Sequence, residues 1–346
     1  MPESECFNQC REQLRREITA VTPGAFETLA LKLFRFQAEH NLVYRSYLGH
    51  LGCNPQEIKS LSDIPFLPIS LFKKHKIVTG QWEQPAQVFE SSGTTGAETS
   101  RHLLRDPVLY ETLSRQIFED HYGELENYHI LALLPSYLER NNSSLVYMVK
   151  HFMELSGSSL SGFFLNDFGL LNRRLSGIAE SRDGRKVLLI GVTFALLDWA
   201  DGLNAPDGDE SWRDTLVVME TGGMKGRRRE MLRSEVHSVL KSRLGLAAIH
   251  SEYGMTELTS QAYAPSEGLF KETRSLRVLI RDITDPLMIR TDGQTGGVNV
   301  IDLGNLDSCA FIETSDLGRK DEQNGTFEIV GRHDNADVRG CNLLYF

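Results

Sequence analysis

Residues 90–102 read Glu90-Ser91-Ser92-Gly93-Thr94-Thr95-Gly96-Ala97-Glu98-Thr99-Ser100-Arg101-His102. They follow a short predicted strand at residues 87–89 and precede a helical pattern around residues 108–117. The two glycines let the backbone fold around an anion, and the backbone N–H groups of such a turn form an anion-binding concavity. Four hydroxyl side chains add donors that can reach phosphate oxygens, namely Ser91, Ser92, Thr94 and Thr95. The stretch predicts a polyphosphate-binding loop, with an ordinary surface turn as the alternative, and it lacks the Gly-x-x-x-x-Gly-Lys spacing of a Walker A loop.

The composition is that of an ordinary globular protein. Of its 346 residues, 40% are hydrophobic and 24% are charged, which suffices for a large core divided between two lobes. The net charge of −10 argues against nucleic-acid binding, because that function needs a basic footprint. No apolar run approaches the roughly 20 residues of a membrane span, and the acidic N-terminus does not resemble a signal peptide. We therefore expect a cytoplasmic protein with neither a membrane span nor a nucleic-acid partner.

The cysteines are odd in number and dispersed: Cys6, Cys10, Cys53, Cys309 and Cys341. This pattern fits a reducing compartment better than a disulfide framework. Cys6 and Cys10 can share a helix face, but the second Cys/His pair of a zinc site is missing. Helix packing is therefore the favoured interpretation of that pair.

The order of patterns along the chain predicts an α/β protein. Residues 1–60 are predicted to be a helical segment packed on the core, because apolar residues recur there at spacings of three and four. Residues 61–272 alternate strands with helical segments, which is typical of an α/β core, and an extended connector is expected at residues 62–69. Residues 273–346 are rich in strands and predict a small β lobe with a short tail. The later strands are predicted at residues 186–192, 216–220, 247–250, 276–283, 297–303 and 310–314.

Three of these strands end in residues that suit a ligand site. Ligands of open α/β sheets bind beyond the carboxyl ends of strands. Gly222 and Gly223 would let a planar ring lie against the backbone. The second strand end carries Tyr253, Gly254, Thr256 and Glu257, and the third carries Asp316. Each of these residues, taken singly, is equally well explained as an ordinary turn residue or a local cap. The arginines at 227–229 could likewise belong to the solvated first turn of a helix.

Together and in this order, the motifs resemble the adenylate-forming superfamily of acyl and aryl ligases. The matching segments are Ser91-Ser92-Gly93-Thr94-Thr95-Gly96, Tyr253-Gly254-Met255-Thr256-Glu257, Thr314-Ser315-Asp316-Leu317-Gly318-Arg319 and Gly331-Arg332-His333-Asp334. Within that superfamily, residues 134–145, 220–227 and 337–341 most closely resemble LuxE-type acyl-protein synthetases. The resemblance implies a large N-terminal-type domain with mixed β-sheets flanked by helices, a small β-rich C-terminal lobe, and absence of the superfamily's mobile C-terminal ligase domain.

The resemblance also implies a two-step reaction with ATP and Mg²⁺. A carboxylic acid, expected to be a long-chain fatty acid, attacks the α-phosphate of ATP, and a thiol then takes the acyl group from the acyl-adenylate. By motif position, Thr256 would contact phosphate, Glu257 would bind Mg²⁺ and Asp316 would bind the ribose. The other expected nucleotide contacts are Ser91, Ser92, Gly93, Thr94, Thr95, Gly96, Gly222, Gly223, Tyr253, Gly254 and Arg332.

Two departures from the superfamily pattern concern the catalytic cation. The loop of relatives continues with Pro-Lys, whereas Glu98 and Thr99 stand here, so that Arg101 becomes the candidate cation. The mobile domain of relatives carries a catalytic lysine, for which Lys225 and Arg227 are candidate substitutes.

Cys341 is the expected acyl acceptor. LuxE-type proteins take the acyl group on a cysteine of their own, and Arg339 lies close enough in sequence to favour a thiolate. The alternative for Cys341 is an incidental cysteine near the end of the chain, and Cys309 is expected in the core. The resemblance further implies a fatty acyl reductase or an acyl carrier as partner.

Two other functions remain open at this point. An acyl- or aryl-coenzyme A ligase of the phenylacetate ligase type would discharge the adenylate to free coenzyme A. A non-catalytic acyl- or nucleotide-binding scaffold would have no evident need for both Glu257 and Asp316. The acyl pocket is expected between residues 135–144 and 191–195, where aromatic side chains such as Phe163, Phe164, Phe168 and Phe194 either line it or belong to the general core.

Overall fold

A computed structural model describes residues 4–91, 99–135, 142–203, 213, 215–222, 228, 229, 231–291 and 293–332. The helices are α1 (Glu5–Thr19), α2 (Phe26–His40), α3 (Leu42–His50), α4 (Leu71–Lys74), α5 (Pro107–Tyr122), α6 (Ser144–Ser156), α7 (Phe168–Ser181), α8 (Thr193–Asp201) and α9 (Arg233–Leu244). The strands are β1 (Leu67–Pro68), β2 (Gln87–Glu90), β3 (Arg101–Leu104), β4 (Tyr128–Leu133), β5 (Gly162–Phe163), β6 (Lys186–Val192), β7 (Leu216–Thr221), β8 (His250–Tyr253), β9 (Ala262–Ala264), β10 (Phe270–Lys271), β11 (Leu276–Arg281), β12 (Ile289–Arg290), β13 (Gly296–Asp302), β14 (Phe311–Asp321) and β15 (Thr326–Arg332).

Most of these strands join one mixed sheet. Its hydrogen-bonded order is β12-β11-β13-β14-β15-β10-β9-β8-β7-β6-β4-β5, with β1 beside β14. Strands β4 to β8 pair in parallel, whereas β8 to β15 pair antiparallel with their neighbours. Every residue of β4 is buried, as expected for a parallel strand that is covered on both faces. The predicted α/β class with a mixed sheet and flanking helices is confirmed.

Helix α5 covers the parallel part of the sheet and begins where its sequence predicts. Pro107 occupies the first turn, and the Asp106 carboxylate accepts a hydrogen bond from the backbone N–H of Leu109 at 3.1 Å. Gly123, with φ of 82°, ends the helix. These two caps fix the ends of α5, and its buried face carries Tyr110 and Phe118 into the core.

The N-terminal helices pack against the strands that follow residue 273. Phe34 of α2 lies edge-on to Phe311 of β14, with ring centroids 5.7 Å apart, and Tyr44 of α3 stacks on the same ring at 6.1 Å. Helix α1 is held there by Arg11, which donates to both oxygens of Asp307 at 2.6 and 2.5 Å. The beginning and the end of the described chain therefore share one hydrophobic core.

Several predicted boundaries are wrong. The strand predicted at residues 247–250 begins only at His250 and contains Tyr253. The strand predicted at residues 310–314 continues to Asp321, because β13 and β15 pair along both of its edges, so Asp316 lies within a strand and not after one. A 3-10 turn at Leu61–Asp63 interrupts the connector that was expected to be extended. Strands on both sides of residue 273 hydrogen-bond to one another, and the division into domains stays a prediction.

Candidate functional site

Three of the motif segments meet within the mixed sheet. Strand β8 ends at Tyr253, whose hydroxyl donates to Asp316 Oδ2 of β14 at 2.8 Å. Asp316 in turn pairs across the β14–β15 ladder with Arg332. Asp316 and Arg332 are partners in neighbouring strands, whereas Tyr253 is 63 positions away from Asp316 in sequence and reaches it through its side chain.

Glu257 completes this group of charges. It is 6% exposed, and burial raises the pKa of its carboxyl. A hydrogen bond from Ser100 and the positive charge of Arg332 oppose that rise, whereas the charge of Asp316 adds to it. Burial likewise raises the pKa of Asp316, against the hydrogen bond from Tyr253 and the charge of Arg332. The site thus holds one buried carboxyl group, that of Glu257, and one half-buried carboxyl group, that of Asp316, and both lie near the guanidinium of Arg332.

A hairpin of β2 and β3 delivers both ends of the predicted phosphate loop. The Ser91 hydroxyl accepts from the Ser100 backbone N–H at 2.9 Å, and the Ser91 N–H donates to the Ser100 carbonyl at 3.0 Å. Ser91 therefore closes the base of the loop by hydrogen bonds within the chain. Arg101 opens β3 opposite Glu90, and its side chain is exposed.

His102 joins this hairpin to the Tyr-Gly-Met-Thr-Glu segment. Its Nδ1 lies 3.0 Å from the Thr256 carbonyl, and its Nε2 lies 3.0 Å from Ser308 Oγ. A carbonyl can only accept, so Nδ1 carries the proton and Ser308 donates to Nε2. Burial lowers the pKa of His102 to about 4, only partly opposed by the bond to Thr256, and the ring is neutral at physiological pH.

The connection between β13 and β14, residues 303–310, supports the Glu257 segment of the site. Asn305 donates to the carbonyl of Glu257 at 2.8 Å and to that of Cys309 at 3.1 Å. Gln37 of α2 donates to the Asn305 carbonyl at 2.8 Å and accepts from the Ala310 N–H at 2.9 Å. Because these groups are buried, the N-terminal helices fix the connection that holds Glu257.

A second buried network organises the end of β7. Glu220 pairs with Arg233 at 2.9 Å and lies 3.6 Å from His237. Burial by itself would raise the pKa of Glu220, but the hydrogen bond from His237 and the charge of Arg233 outweigh it and lower that pKa. Thr193 Oγ1 lies 3.1 Å from Glu220 Oε2 and 3.0 Å from the carbonyl of Gly222, and its single proton is shared between these two acceptors. The network therefore holds Gly222, a predicted nucleotide contact, at the strand end.

The family of the chain follows from comparison with known proteins. A family profile described as "Acyl-protein synthetase, LuxE" matches residues 24–345. The chain belongs to the LuxE acyl-protein synthetase family. The long-chain-fatty-acid–luciferin-component ligase of Vibrio harveyi is 24% identical over 331 residues, which are 90% of this chain and 84% of that protein. The predicted family and the predicted class of enzyme, a ligase, are confirmed.

Solved structures share the fold of this LuxE-family chain. ATP-bound MatB from Rhodopseudomonas palustris matches with a TM-score of 0.52 at 17% identity, over 71% of this chain and 47% of that one. A 2-hydroxyisobutyryl-CoA ligase, solved with 2-HIB-AMP and CoA, matches with a TM-score of 0.61 at 13% identity, over 91% of this chain and 72% of that one. This chain spans about half the length of the MatB structure. The predicted adenylate-forming fold is confirmed.

The predicted site residues of this LuxE-family chain divide into two groups. The structure brings Tyr253, Asp316, Glu257 and Arg332 together and puts Thr256 against His102. Other predicted residues lie outside the part of the chain that the structure describes: Ser92, Gly93, Thr94, Thr95, Gly96, Gly223, Lys225, Arg227 and Cys341. Their roles, and those of the residues that the structure does place, stay predictions.

Two further findings bear on the predicted chemistry. Within the described ranges, His, Cys, Asp and Glu side chains do not form a group of three or more that could hold a metal ion. No helix in the same ranges is long and apolar enough to cross a membrane. Around the predicted acyl pocket, Phe164 and Phe194 are 3% and 1% exposed and belong to the core of the parallel strands.

Sequence reasoning missed the residues that support the site. His102 stood inside the loop stretch, yet its partners, Thr256 and Ser308, are more than 150 positions away in sequence. Gln37 and Asn305 lie beside apolar residues but have other polar residues two positions away, so the sequence gives no distinct signal for either one. A buried polar side chain needs a partner, but the sequence does not name that partner.

Proposed function

We propose that this chain uses ATP to activate a long-chain fatty acid as its acyl-adenylate and then transfers the acyl group to the thiol of Cys341. The proximity of Tyr253, Asp316, Arg332 and Glu257 carries the proposal, because the resemblance assigns these residues to ATP and Mg²⁺. The family match and the fatty-acid ligase name of the Vibrio harveyi relative support the reaction type and the substrate class. The ATP-bound state of MatB, a protein with the same fold, is consistent with ATP use.

In the first step the acid's carboxylate oxygen attacks the α-phosphorus of ATP, and the bond to pyrophosphate breaks. In the second step a thiolate attacks the acyl carbonyl, and AMP leaves. Asp316 suits the two ribose hydroxyls because a carboxylate accepts both, and the hydrogen bond from Tyr253 fixes its orientation. Glu257 suits Mg²⁺, which is commonly held by one or two carboxylates together with substrate phosphates, and the ion would neutralise charge on those phosphates.

The described cysteines differ in their fitness for the second step. Cys309 is fully buried, and burial raises the pKa of its thiol to about 12, so it is a poor nucleophile. Cys6 and Cys10 lie exposed on α1, and neither residue belongs to the motif segments of the site. Cys341 retains the acceptor role by its resemblance to the LuxE pattern. Hand-over to an acyl reductase or an acyl carrier in the cytoplasm completes the proposal.

The test is the intact mass of the full chain after incubation with Mg²⁺, ATP and a series of fatty and aryl acids. Cys341→Ser is compared with Cys6→Ser, which removes an exposed cysteine outside the site. We expect a thiol-labile acyl adduct on the native chain and on Cys6→Ser, and none on Cys341→Ser. Acid-dependent exchange of labelled pyrophosphate into ATP is measured on the same samples and reports the first step alone.

Other results would revise specific parts of the proposal. Exchange without an adduct on the native chain would keep adenylation and move the acceptor elsewhere, with coenzyme A the next thiol to add. An adduct that persists in Cys341→Ser would assign the acceptor role to another cysteine. Absence of both signals with every acid would favour a non-catalytic acyl-binding protein.

A further inference from the structure

One face of the sheet carries a row of polar side chains at the ends of β7, β8 and β9. Thr221 of β7 pairs with Glu252 of β8, and Glu252 pairs with Tyr263 of β9. Paired residues point to the same face, and Gln261 and Tyr263, two positions apart, share it as well. Thr221, Glu252, Gln261 and Tyr263 therefore form a single polar patch, and each is at most 7% exposed.

Two polar atoms of this patch have no hydrogen-bond partner among the described residues. They are Gln261 Oε1 and the Tyr263 hydroxyl, on side chains that are 4% and 0% exposed. An orphaned buried polar atom is unfavourable for the folded state, and Met or Phe would fill the same space without that disadvantage. Both atoms would be satisfied by a bound ligand that donates a hydrogen bond to Gln261 Oε1 and makes a second hydrogen bond with the Tyr263 hydroxyl.

Glu252 borders the same space. The Thr221 hydroxyl donates to its Oε2, and burial raises the pKa of the carboxyl to about 7, with the nearby charge of Glu220 adding to the rise. Its Oε1 lies beside Gly254, where a Cβ would come within 2.4 Å of it and within 3.8 Å of Gln261 Cγ. The absence of a side chain at Gly254 therefore lets the Glu252 carboxyl approach the backbone beside Gln261 at the strand end.

The patch lies on the opposite face of β8 from the nucleotide residues. Neighbouring side chains of a strand point to opposite faces, so Tyr253 reaches Asp316 on one side while Glu252 points to the other. Tyr110 of α5 covers the patch and donates to the carbonyl of Ser144 at 3.1 Å. Ser144 begins α6 and is the last residue of the segment 135–144 that borders the expected acyl pocket, so this face suits the acid and not the nucleotide.

We propose that Glu252, Gln261 and Tyr263 form a subsite for a hydroxyl group on the acyl chain of the acid substrate, close to its carboxyl end. A hydroxyl donates to Gln261 Oε1 and accepts from the Tyr263 hydroxyl, which satisfies both orphaned atoms at once. This inference rests on the proposed function and narrows its substrate class from fatty acids to hydroxylated fatty acids.

The test compares decanoic acid with 2- and 3-hydroxydecanoic acid. Binding to the full chain is measured by calorimetry with Mg²⁺ and α,β-methylene ATP, so that the readout does not depend on turnover. The variants are Tyr263→Phe and Gln261→Met. The matched control is Tyr128→Phe, because the buried Tyr128 hydroxyl already donates to the Tyr122 carbonyl at 2.8 Å.

We expect the native chain to bind one hydroxylated acid about tenfold more tightly than decanoic acid, the effect of one or two net hydrogen bonds. Tyr263→Phe and Gln261→Met should abolish that preference while leaving the melting temperature equal or higher. Tyr128→Phe should keep the preference and melt at a lower temperature.

Equal affinity for all three acids would overturn the subsite. A lower melting temperature of Tyr263→Phe, with the acid preference unchanged, would also overturn it and assign the space to a buried water. Pyrophosphate exchange measured separately tells the two proposals apart, since exchange without a hydroxyl preference leaves adenylation intact and removes only the subsite. Preferential binding without exchange would retain the subsite and remove the adenylation proposal.

Discussion

Protonation of His102 should destabilise the folded chain in mild acid. The ring is 2% exposed, and its two nitrogens already have partners, Thr256 and Ser308. Acid must place a second proton on Nε2, where the Ser308 hydroxyl donates, so the hydrogen bond is lost and a charge is buried. The hairpin that leads into the predicted phosphate loop would then lose its link to the Thr256 segment.

The magnitude follows from the lowered pKa of His102, about 4 compared with an ordinary value of 6.5. A group whose pKa is depressed by folding contributes stability that is present above pH 6.5 and is lost as the pH falls through 4. The difference corresponds to about 3 kcal/mol in total, of which about 2 kcal/mol is lost by pH 5.

The assay is urea unfolding at pH 7.5 and pH 5.0. The native chain is compared with His102→Gln, which keeps hydrogen-bonding capacity without titrating, and with His50→Gln, which removes an exposed histidine. The native chain and His50→Gln should lose about 2 kcal/mol more on acidification than His102→Gln. An equal loss in all three would refute the assignment of a buried, neutral His102.

Further expectations concern the strand end and its support. Burial raises the pKa of Glu252 from 4.5 to about 7, so the stability that its protonated carboxyl contributes is complete below pH 4.5 and is lost as the pH rises through 7. In urea titrations, Glu252→Gln should remove about 3 kcal/mol of this change in unfolding free energy with pH. Gly254→Ala puts a Cβ within 2.4 Å of that carboxyl and should lower kcat/KM for pyrophosphate exchange at least tenfold, whereas Gly177→Ala, at an open helical position, should not. Gln37→Leu leaves backbone carbonyls within residues 305–308 without their side-chain donor and should cost about 2 kcal/mol of unfolding free energy.

Local patterns were informative wherever one segment carries its own signal. Asp106 and Pro107 mark the start of α5, and the buried run at residues 128–133 marks a parallel strand. The loop at residues 90–102 and the Tyr253–Glu257 segment indicated the superfamily before any contact was known. The boundaries of β14 could not be predicted, because its length is set by β13 and β15 pairing along it and not by its own residues.

The sequence by itself determined the class of fold, the family and the identity of the motif residues. These motifs consist of glycines, hydroxyl residues and acids at fixed separations, and such separations can be read directly from the sequence. Only the tertiary structure decided that Tyr253 donates to Asp316, that His102 is neutral between Thr256 and Ser308, and that Gln261 and Tyr263 retain orphaned atoms beside Glu252. These properties depend on burial and on partners brought in by distant strands. A side chain's pKa and hydrogen bonds follow from the groups that surround it in space, and those groups are fixed only when the strands have paired and the helices have packed on them.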